Sequence, residues 1–135
     1  MLTGVPRHHL DTIWLMVLPW LLEVERHSDA RETVTDLRHW LDEGKLQLWV
    51  WLDGDDTVSG VLISEVIDQA KGRICRLRVC TGRDPRRWLA SLAIIESWAR
   101  EQGCKAMEPI TRPGWGKLLA SHGYKVTHVV LGKGL

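Results

Sequence analysis

Three arginines crowd one short run, Arg83-Asp84-Pro85-Arg86-Arg87-Trp88. A guanidinium presents a planar fork of donors that suits phosphate oxygens, so Arg83, Arg86 and Arg87 offer anion-binding chemistry. The competing reading is an ordinary helix start with a solvated basic first turn, because Asp84 suits an N-cap and Pro85 the first helical position. Other reactive residue types are dispersed. Cys75, Cys80 and Cys104 are an odd count at spacings that fit neither a zinc site nor a disulfide framework. A lone thiol such as Cys80 is more often a small apolar filler than a nucleophile. His8, His9, His27, His39, His122 and His128 include no pair at metal-ligand helical spacing, so no metal is expected. Arg76 and Arg78 should project from one strand face, opposite Cys75, Leu77 and Val79, as an ion-pair surface under a helix or as a contact patch.

The elements that must position these residues follow from periodicity. Met1–His9 supports a short strand at most. Asp11 can cap a helix whose apolar residues Ile13, Trp14, Val17, Leu18, Leu21 and Leu22 recur at three and four, with a bend expected at Pro19. Arg31–Glu43 reads as a second helix stopped by Gly44. From Lys45 the period becomes two, giving a strand to Leu52 and a turn at Asp53–Asp56. A second strand follows at Val58–Ile67 and a third at Arg73–Cys80, in an antiparallel meander. A helix from Asp84 to about Gln102 should bury Trp88, Leu89, Leu92, Ile95, Trp98 and Ala99 and end at Gly103. A short strand at Lys105–Glu108, a helix at Gly114–Ser121 and a final strand at Tyr124–Leu131 complete the order ααβββαβαβ.

This order makes the chain an α/β (α+β) protein with a mixed central sheet and helices on both faces, expected to be a single domain over residues 1–135. Lys plus Arg number 18 against 17 for Asp plus Glu. A net charge of +1 supplies no field that would draw the chain to nucleic acid or to a membrane surface. The longest uncharged run, Thr12–Leu22, is too short to span a bilayer, and no secretion signal is evident, so a reducing cytoplasmic setting is expected. Eight tryptophans and no phenylalanine make Trp the main large core filler, and each buried indole N–H must find an acceptor.

The element order resembles the GNAT fold of the N-acetyltransferases. The segments Ile94-Ile95-Glu96-Ser97-Trp98-Ala99-Arg100-Glu101-Gln102-Gly103-Cys104, Arg112-Pro113-Gly114-Trp115-Gly116-Lys117-Leu118-Leu119 and Gly123-Tyr124-Lys125 resemble the C-terminal half of GNAT-like proteins encoded by tailed bacteriophages. Gly60 resembles a glycine common on the second meander strand. The resemblance implies acetyl-coenzyme A held in a cleft between splayed strands, with the acceptor amine attacking the thioester directly. The cofactor would run past Val79 and Cys80, and its pyrophosphate would lie on the turn after them. The family pattern there is Gln or Arg, two residues, Gly, one residue, Gly or Ala. Only Arg83 matches, because Arg86 and Trp88 occupy the positions of small residues. The thiolate's general acid is a Tyr in many members. Leu119 stands at that position, leaving Tyr124 as a substitute, and Glu65 on the second strand could serve as base.

Two functions are therefore expected to compete. One is a catalytically degenerate GNAT-fold protein without a cofactor, acting as a structural or accessory part of a tailed phage through contacts to phage structural proteins or to itself, in the virion or the host cytoplasm. The apolar stripe of Ile13–Leu22, with Trp14 and Trp20, would anchor such a partner or simply pack on the sheet. The other is a working acetyl-coenzyme A-dependent N-acetyltransferase that grips phosphate with Arg83, Arg86 and Arg87.

Overall fold

The computed structural model describes residues 1–27, 32–112 and 114–135. Strand β1 (Leu2–Val5) leads through a 3-10 turn at Arg7–His9 into helix α1 (Leu10–His27), followed by helix α2 (Val34–Asp42). Strands β2 (Gln47–Leu52), β3 (Val58–Gln69) and β4 (Gly72–Gly82) form the meander. Helix α3 (Leu92–Glu101), strand β5 (Cys104–Pro109) and helix α4 (Trp115–Ala120) follow. The sheet order is β1-β2-β3-β4-β5, antiparallel except for the parallel β4–β5 pair.

Two apolar cores cover the two faces of the sheet. On one, Val17 and Leu21 of α1 and Leu37 and Leu41 of α2 pack on Leu48, Val50, Val61, Ile63 and Val79. On the other, Leu92, Ile95 and Ala99 of α3 join Trp88, Leu89 and Leu119 against Trp49, Leu62, Cys75 and Leu77. Strand β2 therefore contributes to both cores, as its double-sided apolar alternation predicts. The Trp49 indole N–H donates to Ser64 Oγ at 2.9 Å, so its burial leaves no orphan donor.

Several boundaries differ from the sequence expectation. Helix α1 begins at Leu10 because the Arg7–His9 turn feeds straight into it, so Asp11 lies inside the first turn and its carboxylate pairs with Arg38 of α2. The helix runs through Pro19. The expected start of the second helix at Arg31 lies outside the described residues. Its described N-terminus is a capping box, in which Thr33 Oγ1 accepts from Asp36 N and Asp36 Oδ2 accepts from Thr33 N, both at 3.1 Å. Gly44 ends this region at φ +77°, a conformation open to glycine.

The helix expected from Asp84 becomes regular only at Leu92. Residues Pro85–Arg87 and Leu89–Ser91 form two 3-10 turns, and Asp84 adopts φ 47° with no side-chain cap bond. The final strand expected at Tyr124–Leu131 does not form, and residues 124–135 are irregular. β-branched residues there have the intrinsic preference, but strand structure needs a paired edge, and no backbone hydrogen bond joins the segment to β5 among the described residues. No described helix is long and apolar enough to cross a membrane.

Candidate functional site

Strands β4 and β5 part company midway. Their register ends at Leu77 and Pro109, and the Ile110 N–H closes the pairing on the Leu77 carbonyl at 2.9 Å. Proline has no N–H with which to extend a ladder. Strand β4 nevertheless continues to Gly82. Its side facing β5 is thus without a strand partner from Arg78 to Gly82 among the described residues.

A bulge at Arg78 re-aims the residues at the start of that stretch. Val79 pairs with Ile63 and Leu77 with Ser64, so Arg78 is the extra residue on β4. Leu77 consequently enters the α3-side core and Val79 the α1/α2-side core. This corrects the expectation that Cys75, Leu77 and Val79 share one face. Cys80 lies toward the α3 side, where burial pushes its thiol up to about 12 and keeps it protonated.

The turn beyond β4 is closed by its own hydrogen bonds. Among residues 83–88, the Arg83 N–H donates to Ser59 O at 2.8 Å, Arg87 N–H to Asp84 O at 2.9 Å and Trp88 N–H to Pro85 O at 3.1 Å. Pro85 has no N–H. Only the amides of Asp84 and Arg86 are left to meet an anion. Trp88 is fully buried, and its indole N–H donates to the Arg83 carbonyl at 3.1 Å. Gly60 and Gly82 face each other across β3 and β4, and the indole fills the space beside them. A Cβ on Gly60 would lie 3.2 Å from the ring, and one on Gly82 2.7 Å from the Gly60 Cα.

The three arginines have different neighbours, with Arg83 and Arg87 both beside the acidic β2–β3 turn. Arg87 pairs with Asp53 of the β2–β3 turn at 3.2 Å. Arg83 stands 6.0 Å from the Trp20 ring centroid on α1. Arg86 is exposed and forms no ion pair among the described residues.

Glu65 and Tyr124 lie on opposite faces of the sheet. Glu65 pairs in register with Arg76, and its Oε1 accepts from Arg78 Nη1 at 2.8 Å. Arg78 also pairs with Glu32 and lies 5.7 Å from the centroid of Trp40 on α2. Arg76 pairs with Glu108 of β5 at 2.7 Å. The two arginines thus form a partly buried ion-pair layer, in which Arg78 lies beneath Trp40 of α2 and Arg76 reaches β5. Burial raises the Glu65 carboxyl above its ordinary value, opposed by the charge of Arg76. Tyr124 packs on the α3-side core and its hydroxyl donates to Glu96 Oε2 at 3.1 Å. Burial first, then the Glu96 charge, hold that phenol well above its ordinary value.

The partners Glu32, Trp40 and Glu108 were not singled out by sequence, where the sole signal was the alternation of Arg76 and Arg78. Trp14 and Trp20 both pack on the chain's own structure: Arg38 lies 4.8 Å above the Trp14 ring, and the Trp20 indole N–H donates to Val58 O at 3.2 Å. Leu15, Met16 and Leu22 face outward instead. Among the described residues no group of three or more His, Cys, Asp or Glu side chains is placed to hold a metal ion.

No protein-family model and no curated protein sequence matches the chain. Solved structures do. A probable acetyltransferase superposes with a TM-score of 0.74 at 15% identity, covering 100% of this chain and 96% of its own. An aminoglycoside acetyltransferase from an uncultured soil metagenomic sample, solved with sisomicin, gives 0.69 at 11% identity, with 100% and 95% covered. A transcriptional regulator from Bacillus halodurans gives 0.68 at 16% identity, with 100% and 99% covered. With the β4–β5 pairing that stops at Leu77 and Pro109, the β4 bulge and these superpositions together, the chain has the GNAT-type acetyltransferase fold.

Proposed function

We propose that this chain is a GNAT-fold protein that has given up acetyl-coenzyme A and works by binding other protein chains, as a structural or accessory component of a tailed bacteriophage. One observation carries the loss of catalysis. The turn at residues 83–88 spends the N–H groups of Arg83, Arg87 and Trp88 on its own chain, and Pro85 has none to give. Cradling a diphosphate depends on several backbone N–H groups aimed at one point, and two isolated amides do not supply that. The phage assignment is supported by the resemblance of Ile94–Cys104 and Arg112–Leu119 to phage GNAT-like proteins. Calorimetry with acetyl-coenzyme A at millimolar concentration tests the reading. No heat of binding is expected, and saturable binding would overturn it.

A second reading, an active N-acetyltransferase, is favoured by the unpaired stretch of β4 from Arg78 to Gly82 beside Val79 and Cys80. In that reading Arg83, Arg86 and Arg87 hold the phosphates, and their joint replacement by Ala abolishes whatever binding calorimetry detects. Unchanged affinity in that variant would remove the arginine assignment.

A further inference from the structure

Helix α1 is apolar on two sides. Val17 and Leu21 are buried on the sheet, with Ile13, Leu18 and Val24 packed beside them. The opposite side carries Thr12, Leu15, Pro19, Leu22 and Arg26, all exposed, with Met16 and Glu23 on its margin. These positions follow one another at alternate steps of three and four residues, the period of a seam between paired helices. A helix side that faces water alone is normally polar. Leu15 is instead 81% exposed, and Met16 and Leu22 are each 42% exposed. The spacing of this outward seam fits a second helix better than it fits a flat surface or an extended strand.

Charge and symmetry say which helix that is. The seam is centred on Pro19, and helical geometry puts Leu15 and Leu22 on the same flank, about 10 Å apart along the axis. An antiparallel copy turned about a twofold axis at Pro19 therefore sets Leu15 against the partner's Leu22. At the ends it brings Asp11 near the partner's Arg26. Both side chains are open to such a contact, since Asp11 is 94% exposed beside Arg38 and Arg26 is 69% exposed beside Glu23. Antiparallel helix dipoles also oppose each other favourably. A parallel copy would instead set Asp11 against Asp11 and Arg26 against Arg26. Because each copy offers the same patch and receives it, the contact closes at two copies.

We infer that the outward side of α1 is the contact surface of an antiparallel homodimer, seamed by Leu15, Pro19 and Leu22. This goes beyond the proposed function, because the turn at residues 83–88 takes no part in it. Sedimentation of the full chain from micromolar to millimolar concentration tests it, and a concentration-dependent dimer is expected. Leu15→Glu and Leu22→Glu alter exposed side chains, so each should leave the melting curve of the dilute chain unchanged and weaken the dimer by at least about tenfold. Orientation is read by cysteine pairing in oxidised glutathione. An equimolar mixture of Leu15→Cys and Leu22→Cys chains should form a disulfide between the two introduced thiols, located by mass spectrometry, and neither variant alone should link to itself as readily. A monomer throughout, a dimer indifferent to both Glu variants, or self-linking of Leu15→Cys equal to its linking to Leu22→Cys would each overturn the inference. Saturable coenzyme A binding would overturn the proposed function and leave this contact standing.

Discussion

Leu77 and Val79 are two residues apart on one strand yet lie on opposite faces of the sheet. The bulge at Arg78 separates them, sending Leu77 into the core under α3 and Val79 into the core under α1 and α2. The same bulge frees the Arg78 guanidinium to meet Glu65 and Glu32 beneath Trp40. The inserted residue thus sets which core each side of β4 joins, while the β4–β5 pairing ends separately, at Leu77 and Pro109.

Trp88 should be the largest single contributor to stability around the turn. Its indole fills the space beside Gly60 and Gly82 and donates to the Arg83 carbonyl. Trp88→Ala leaves a cavity and an unpartnered carbonyl, and a loss of about 3–5 kcal/mol is expected in denaturant unfolding. Gly82→Ala should cost about 2 kcal/mol or more, because its Cβ would meet backbone that cannot yield cheaply. A loss below about 1 kcal/mol for Trp88→Ala would mean the indole does not seal the turn.

That seal was only partly legible in the sequence. Asp84-Pro85 carries a strong helix-start signal, and Trp88 through Ala99 carry an apolar stripe, so a helix from Asp84 is the natural reading. Burying so large a ring at Trp88 goes with two 3-10 turns before regular helix begins at Leu92. The bulge was hidden for a different reason. Cys75, Leu77 and Val79 alternate without a break, and an inserted residue leaves no mark on a period-two pattern when both faces are covered. The amphipathic patterns of α2 and α3 and the meander were readable because each buries one stripe or alternates against a turn. The final strand was read from β propensity alone, a preference that needs a partner edge to be realised.

Glu65 should leave a signature in the pH dependence of stability. Its carboxyl is raised from an ordinary value of 4.5 by burial, against the pull of Arg76. A folded state that holds the proton more tightly than the unfolded chain gains stability from this group below pH 4.5 and loses it as pH rises through the raised folded value. Glu65→Gln keeps an oxygen for Arg78 and removes the titration. Its melting temperature should therefore fall less steeply with pH just above 4.5 than that of the unsubstituted chain. Parallel curves would show that Glu65 titrates normally.

The thiols should differ in reactivity. Cys75 is buried and Cys80 and Cys104 are partly exposed; burial pushes the Cys75 and Cys80 thiols each up to about 12, whereas at Cys104 burial raises the thiol against the pull of the Arg73 charge. Alkylation of the native chain at pH near 8, followed by mass spectrometry, should label Cys104 first and leave Cys75 and Cys80 unmodified until unfolding. Early labelling of Cys80 would reveal an accessible thiolate on the unpaired stretch of β4.

The central claim concerns backbone amides, and amide resonances report on it directly. In a two-dimensional nitrogen–proton titration with coenzyme A to millimolar concentration, the peaks of Arg83, Asp84, Arg86, Arg87 and Trp88 should not move, since three of those five N–H groups are already bonded within the chain. Saturable shifts centred on Asp84 and Arg86 would contradict the account and restore the turn as a phosphate site.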